Sequence, residues 1–244
     1  MIKILQKIFF VLTICGGIFY CFANDVKPYM DSTALPKLEK FYPKPPDSAS
    51  AQFMYDISQY MWGKSMRANS ARAKLAIDQN TTDPDSMAKK FSAVFGIEIS
   101  ERNTPIIMNL LRRGIETIDL AGHYPKKHFK RKRPYVFFHD KTLIPDDEKT
   151  FNNSGSYPSG HTIRAWTMAL LLIEINPAVQ DALLAYAYEW GQSRVIAGYH
   201  WQSDVDASKI IASAALATLH TNEEFIIDMY YARTEFKKLS AKKK

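Results

Sequence analysis

The 244-residue chain has only two cysteines, Cys15 and Cys21, and both lie within its first 23 residues. If that segment is absent from the mature protein, no disulfide can hold the fold and no thiol can serve as a nucleophile or metal ligand. An apolar core must then stabilise the remaining 221 residues, which are enough for one large domain.

Other patterns are missing as well. After the first 23 residues, the longest strongly apolar run is 168–175, far short of the roughly 20 residues that a membrane-spanning helix needs. No run alternates between apolar and polar residues as a strand would, and no His, Asp or Glu cluster has metal-ligand spacing. We therefore expect an all-α protein that is not integral to a membrane and needs no metal or other cofactor.

The N-terminal segment 1–23 has the layout of a secretory signal peptide. Lys3 and Lys7 precede an apolar run that ends in Ala23, after which we expect cleavage. The run is short for a membrane anchor, and bulky residues before both cysteines disfavour a lipoprotein. Cleavage would lower the net charge from +7 to +5, which suits an anionic small-molecule substrate but also weak binding to any polyanion. The predicted location is periplasmic or secreted.

The rest of the chain divides into three parts. A Pro-rich extended arm is expected over 24–47, a globular helical domain over 48–236 and a solvated basic tail over 237–244. Apolar spacing and capping residues predict a domain with a helical-bundle core. Its predicted helices cover 48–77, 84–95, a third that begins at 105, and then 162–175, 177–196, 201–219 and 223–236.

The stretch 155–162 joins a Gly-Ser-Pro turn to an apolar helix. Ser159 and Gly160 fall where the first backbone N–H groups of that helix have no partner within it. Free N–H groups and the helix dipole attract anions, and His161 could donate a proton to a phosphate ester bound there. An ordinary loop with a surface histidine explains the stretch equally well on its own.

Seven of the nine residues in 126–134 are Lys, Arg or His. Such a run can be a nuclear-localisation or nucleic-acid-binding patch, although a signal peptide argues against the first and few aromatic residues support the second. It can also be a solvated charged face. A third interpretation turns Lys126 and Arg133 inward to bind phosphate, with Arg133 as a planar fork of donors and Lys126 as a point charge.

A second histidine, His200, lies four residues before Asp204. Within a helical turn the carboxylate could accept a hydrogen bond from the imidazole and leave the other ring nitrogen free as a base or nucleophile. Asp204 could instead only favour the start of a helix. Arg194 could likewise only complement the C-terminal dipole of the preceding helix.

Taken together, the three segments resemble the three-part motif of the phosphatidic acid phosphatase type 2 and vanadium haloperoxidase superfamily. Lys126 to Arg133 match Lys, six residues, Arg-Pro; Pro158 to His161 match Pro-Ser-Gly-His; and Ser193 to Asp204 match Ser-Arg, five residues, His, three residues, Asp. Within that superfamily the chain is most similar to the class A bacterial non-specific acid phosphatases. One departure is Ala197, which stands in a loop where relatives often carry a cysteine.

The resemblance implies a role for each residue of the motif. His200 would be the nucleophile that forms a phosphohistidine, Asp204 would orient it, and His161 would be the general acid and then the base. The phosphoryl oxygens would be held by five residues: Lys126, Arg133, Ser159, Gly160 and Arg194. Lys127 lies one residue from the required spacing, so a local bulge could exchange it with Lys126.

The resemblance also implies a metal-independent acid phosphatase with broad specificity for phosphate monoesters, phosphotransfer as a further activity, and homo-oligomers. A lipid or isoprenoid pyrophosphate phosphatase shares the motif but usually embeds it in membrane-spanning helices, and a haloperoxidase fits a chain this short less well. A polyanion-binding protein that uses the basic run is the alternative from a different class. We expect no nucleic-acid partner.

Overall fold

In the computed structural model of the chain, residues 26–241 are described, and all regular structure within that range is helical. The prediction of an all-α protein with a single helical domain is confirmed. The α-helices in order are α1 (Leu38–Phe41), α2 (Ala51–Met66), α3 (Ser70–Asp78), α4 (Pro84–Phe95), α5 (Pro105–Phe129), α6 (Pro134–Phe138), α7 (Glu148–Phe151), α8 (Gly160–Ile175), α9 (Gln180–Ala197), α10 (Gln202–Leu219) and α11 (Glu223–Ala241). Short 3-10 helices at Pro145–Asp147 and Pro177–Val179 precede α7 and α9. The predicted signal peptide lies outside the described residues.

Helix α8 is the centre of the core and packs mainly against α5, α9 and α10. Most of its residues are apolar and many are buried, which is the pattern of a helix surrounded by others. Ile163, Met168 and Leu172 are fully buried. On α5, a Cβ atom at Gly122 would lie 2.6 Å from Ile163 Cδ1, so a larger residue there would require the end of the Ile163 side chain to shift. The close contact sets the C-terminal turns of α5 beside the N-terminus of α8.

Several helix ends agree with the capping residues in the sequence. Asp83 caps α4 by accepting a hydrogen bond from Ser86 N, and α4 is followed by Gly96 at φ 94°. The expected single helix over 48–77 is instead divided into α2 and α3, because the Asn69 side chain caps a new helix by accepting from Arg72 N.

The last helix is longer than expected, since α11 continues past residue 236 to Ala241. Phe236 and Leu239 pack against the core, which keeps this end helical. At the other end, the Pro-rich residues 26–47 are mostly irregular but are anchored. Tyr29 and Leu35 are buried in the core, and Tyr29 N donates to Thr117 Oγ1 at 2.9 Å.

Candidate active site

A cavity of about 580 Å³ lies at the N-terminus of α8. Six of the eight residues predicted for the site line it: Lys126, Arg133, Gly160, His161, Arg194 and His200. The other two, Ser159 and Asp204, are fully buried behind this wall, where Ser159 precedes Gly160 and Asp204 contacts His200. The fold therefore brings all three motif segments to one place, which we call the cationic cavity.

The turn between α9 and α10 places His200 at the wall of the cavity. Helix α9 ends at Gly198, whose φ of 94° is in the left-handed region that side chains other than glycine rarely adopt. A Cβ atom there would also lie 2.6 Å from the guanidinium of Arg67. The backbone reverses at this glycine, and His200 follows two residues later, just before α10 begins at Gln202.

Two contacts define the tautomer of His200. Its Nε2 lies 3.1 Å from Arg133 Nη1, and its Nδ1 lies 3.3 Å from Asp204 Oδ2. Arginine can only donate, so the neutral imidazole accepts at Nε2 and carries its proton on Nδ1, which donates to the carboxylate. The nitrogen with a free electron pair is therefore the one that faces the cationic cavity.

Asp204 fills both of the roles that the sequence left open. It lies in the first turn of α10, where its Oδ2 also accepts from Trp201 N at 2.9 Å and so caps the helix. Its other oxygen, Oδ1, accepts from Arg131 at 2.6 Å. The carboxylate is fully buried and bound on both oxygens, so its orientation toward His200 is fixed.

The N-terminus of α8 presents backbone donors to the cavity. Ser159 caps this helix by accepting from Thr162 N at 3.3 Å, and its own N–H donates to Ser208 Oγ at 2.8 Å. Ser159 does not line the cavity, and its backbone donor is already used. Gly160 and His161 are the first two residues of the helix, so their N–H groups have no intrahelical acceptor and are the ones open to an anion.

Three predicted cations surround this helix start. Lys126 donates to the carbonyl oxygens of Pro158 (2.5 Å) and Gly155 (3.3 Å), whereas its neighbour Lys127 is exposed. The spacing that favoured Lys126 over Lys127 thus agrees with the geometry. Arg133 is almost fully buried, and Arg194 is fully buried with no hydrogen-bond partner at Nε.

The cavity is unfavourable for positive charge when it holds no anion. Loss of solvation, with Arg133 nearby, lowers the pKa of Lys126 to about 8 and that of Arg194 to about 9. Burial and the same cations hold the pKa values of His161 and His200 well below the usual 6.5. A bound dianion would oppose all four shifts, because it favours the charged form of each group.

The cavity wall also contains residues that the sequence analysis missed. Asn80 accepts from Arg194 Nη1 through its side chain, and its backbone bonds His161. Asp119 lines the cavity beside Arg164, which donates to it at 2.9 Å. Burial raises the pKa of Asp119, but His123 and Arg164 outweigh it and hold that pKa below the usual value. No motif spacing points to these residues.

One residue that the sequence analysis missed, Arg131, lies two residues before the motif arginine Arg133. Residues 130–133 are not helical, and Lys130 has a φ of 45° in the left-handed region, so the basic run departs here from the helical spacing of α5. Lys130 and Lys132 are exposed, whereas Arg131 and Arg133 turn inward. The basic run is therefore not a uniform charged face, since the motif arginine and the residue two before it both serve the interior.

Two kinds of feature are absent from the described part of the chain. Among residues 26–241, no group of three or more His, Cys, Asp or Glu side chains is placed to hold a metal ion. In the same range, every helix is too short or too polar to cross a membrane.

Comparison with known proteins gives a single family. The sequence profile of the PAP2 superfamily matches residues 106–226, and this range includes all eight predicted site residues. The non-specific acid phosphatase of Providencia stuartii is 44% identical over 198 residues, covering 81% of this chain and 79% of that protein. The non-specific acid phosphatase of Salmonella typhimurium is 34% identical and covers 88% and 86%. The acid phosphatase of Zymomonas mobilis is 33% identical and covers 80% and 73%. The chain belongs to the PAP2 superfamily and, within it, to the class A bacterial non-specific acid phosphatases.

Proposed function

We propose that this acid phosphatase is exported and hydrolyses a broad range of phosphate monoesters through a phosphohistidine on His200, without a metal ion. The observation that carries the proposal is the arrangement of His200. Its Nδ1 is held by Asp204, while its Nε2 faces a cavity lined by Lys126, Arg133 and Arg194. A nucleophile next to a group of anion-binding side chains is the arrangement that covalent phosphoryl transfer requires.

In the first step, His200 Nε2 attacks phosphorus, an N–P bond forms and the P–O bond to the leaving alcohol breaks. His161 gives its proton to the departing oxygen, so the alcohol leaves neutral. In the second step, water attacks phosphorus, His161 takes a proton from that water, and the N–P bond breaks to release phosphate. If another alcohol replaces water in the second step, the same intermediate gives phosphotransfer.

Charge on the transferred group is stabilised by donors that are already in place. Lys126, Arg133 and Arg194 would bind phosphoryl oxygens together with the N–H groups of Gly160 and His161. Ser159 would act chiefly by capping the helix that carries these amides. The Arg133–His200 contact must yield when substrate enters, so that Nε2 is free to attack.

A matched pair of histidine variants tests the proposal. His200→Ala should release no phosphate from an aryl phosphate, whereas His220→Ala, which removes a surface histidine paired with Glu174, should keep wild-type turnover. Both purified proteins should show the same helical content. Normal turnover in His200→Ala would refute the assignment of the nucleophile.

The intermediate can be trapped separately. His161→Ala should still be phosphorylated by a substrate whose leaving group needs no proton, and alkaline quenching should preserve the acid-labile phosphohistidine on His200. EDTA should have little effect and vanadate should inhibit. Complete loss of activity with EDTA, or a phosphorylated residue other than histidine, would contradict the mechanism.

Export and assembly are further parts of the proposal. Cell fractionation should recover the enzyme outside the cytoplasm with Asn24 as its first residue, and size-exclusion chromatography with light scattering should give a homo-oligomer. The polyanion-binding alternative has less support, because the inward turn of Lys126, Arg131 and Arg133 removes three of the seven basic residues of 126–134 from the surface.

A further inference from the structure

Behind the cationic cavity, one arginine joins two buried carboxylates. Arg131 donates through Nη1 to Asp204 Oδ1 and through Nη2 to Asp56 Oδ2, both at 2.6 Å. Its side chain is 8% exposed, both carboxylates are fully buried, and its guanidinium lies 5.3 Å from the ring centre of Trp201. Arg131 does not line the cavity, so it does not reach a bound phosphoryl group.

The second carboxylate is itself firmly held. Asp56, on α2, accepts from Ser203 N at 2.8 Å and from Ser203 Oγ at 2.6 Å. Ser203 is the residue before Asp204, and its hydroxyl lies 2.7 Å from Arg131 Nη1. A helix distant in sequence is thereby tied to the first turn of α10, the turn that carries the partner of His200.

We propose that Arg131, held by Asp56, is a positioning residue that fixes Asp204 against His200 and limits how strongly this carboxylate draws the imidazole proton. The inference rests on the proposed roles of His200 and Asp204. It adds to them a row of alternating charges, Asp56, Arg131 and Asp204, that ends at the nucleophile.

The physical reason is the balance of charge around Asp204. A buried carboxylate with no cation would be a strong acceptor, and it would favour the imidazolium form of His200, which has no free electron pair to attack phosphorus. The Arg131 guanidinium shares the negative charge of Asp204 through its bond to Oδ1, and its second bond, to Asp56, fixes the guanidinium in place. His200 also faces four other groups, which are the same in every variant below: Lys126, Arg133, His161 and Arg194.

The experiment is an NMR titration of the histidine side chains in the full-length mature protein, with His200 assigned from the signal lost in His200→Ala. Arg131→Met should raise the pH at which His200 becomes protonated by on the order of one unit, because a positive charge is lost beside its partner. The kcat should fall about tenfold or more through misplacement of the nucleophile. Asp56→Asn, which removes the negative charge on the far side of Arg131, should lower that pH, because the loss of an anion disfavours the imidazolium.

Arg113→Met is the matched control. Arg113 also joins two carboxylates, Glu224 and Asp228, its side chain is 11% exposed, and it lies 3.9 Å from the ring centre of Tyr29. It should lose stability without moving the titration of His200.

The proposal is overturned if His200 titrates at the same pH in Arg131→Met as in Arg113→Met, or if Asp56→Asn leaves that pH unchanged or raises it. Asp56→Asn alone decides if Arg131→Met fails to fold. A merely structural role of Asp56 and Arg131 would lower kcat in this variant but would leave the pH at which His200 is protonated unchanged or move it upward. The titration does not depend on which residue is phosphorylated, so its outcome is separable from the His200→Ala test of the proposed function.

Discussion

Replacement of Lys126 by methionine is expected to stabilise the empty enzyme while it removes phosphate binding. The pKa of Lys126 falls from 10.5 to about 8 in the cavity, because burial strips solvent from its ammonium group and Arg133 repels it. Each pKa unit corresponds to about 1.4 kcal/mol, so the charged lysine costs on the order of 3 kcal/mol in the folded state. Water in the cavity can replace its bonds to the Pro158 and Gly155 carbonyls, at a loss of about 1 kcal/mol.

The net gain for Lys126→Met at pH 6 is therefore about 1–2 kcal/mol, or roughly 2–8 °C in Tm for a domain of this size. The sign depends on pH. The folded pKa of Lys126 is lower than the unfolded one, so the unfolded chain holds this proton more firmly and wild-type stability rises with pH between about 8 and 10.5. At pH 9.5 the advantage of the variant should have shrunk by about 2 kcal/mol.

Denaturant unfolding at pH 6 and pH 9.5, each with and without inorganic phosphate, checks this prediction. Phosphate should stabilise the wild type at pH 6 but have a much smaller effect on the variant. Lys64→Met, which removes a partly exposed lysine paired with Asp140, is the control and should show neither the gain nor the loss of the phosphate effect. If Lys126→Met is less stable than wild type at pH 6 by more than 1 kcal/mol and phosphate still stabilises it fully, the cost assigned to the buried ammonium is wrong.

Three further predictions follow from single contacts. Asp204→Asn should lower kcat by about 10²-fold or more, because an amide that donates to Nδ1 stabilises the wrong tautomer; steady-state kinetics would contradict this if KM alone changed. Asp119→Asn should lower KM several-fold for dianionic substrates with little change in kcat, since it removes an anion from the cavity wall; an unchanged KM would show that Arg164 already neutralises it. Gly198→Ala should destabilise the fold by more than Gly96→Ala in denaturant unfolding. Both glycines have φ 94°, but the added Cβ atom would lie 2.6 Å from Arg67 Nη2 at Gly198 and in open space at Gly96, so equal losses would mean that Arg67 moves aside without cost.

Much of the fold was predictable because helix ends depend on local chemistry. The Asp83-Pro84 start and the Gly96 stop of α4 agree with the structure for that reason. The break between α2 and α3 was not predicted, because the cap at Asn69 competes with an apolar spacing that continues across it. The extension of α11 to Ala241 was missed because it depends on packing of Leu239 against the core, and tertiary contacts of this kind are not visible in local sequence.

The candidate site was likewise predictable only in part. Motif spacing selected Lys126, Arg133, His161, Arg194 and His200, and the fold places all of them on one cavity. Spacing could not separate residues that bind an anion from residues that hold the binders, so the capping role of Ser159 emerged only from its bonds to Thr162 and Ser208.

The lowered pKa of His161 predicts how the activity of the enzyme depends on pH. Burial and Arg194 hold the pKa of His161 well below 6.5 in the absence of substrate, which disfavours the protonated form that the proposed general acid needs. A dianionic substrate supplies the missing charge and raises that pKa, and His161 becomes protonated as substrate binds. Substrate binding should therefore take up protons, which calorimetry in buffers of different ionisation enthalpy can count. Since kcat reports the enzyme–substrate complex and kcat/KM the free enzyme, the alkaline limb of kcat should lie at higher pH than that of kcat/KM. Coincident limbs and no proton uptake would mean that the proton for the leaving alcohol does not come from His161.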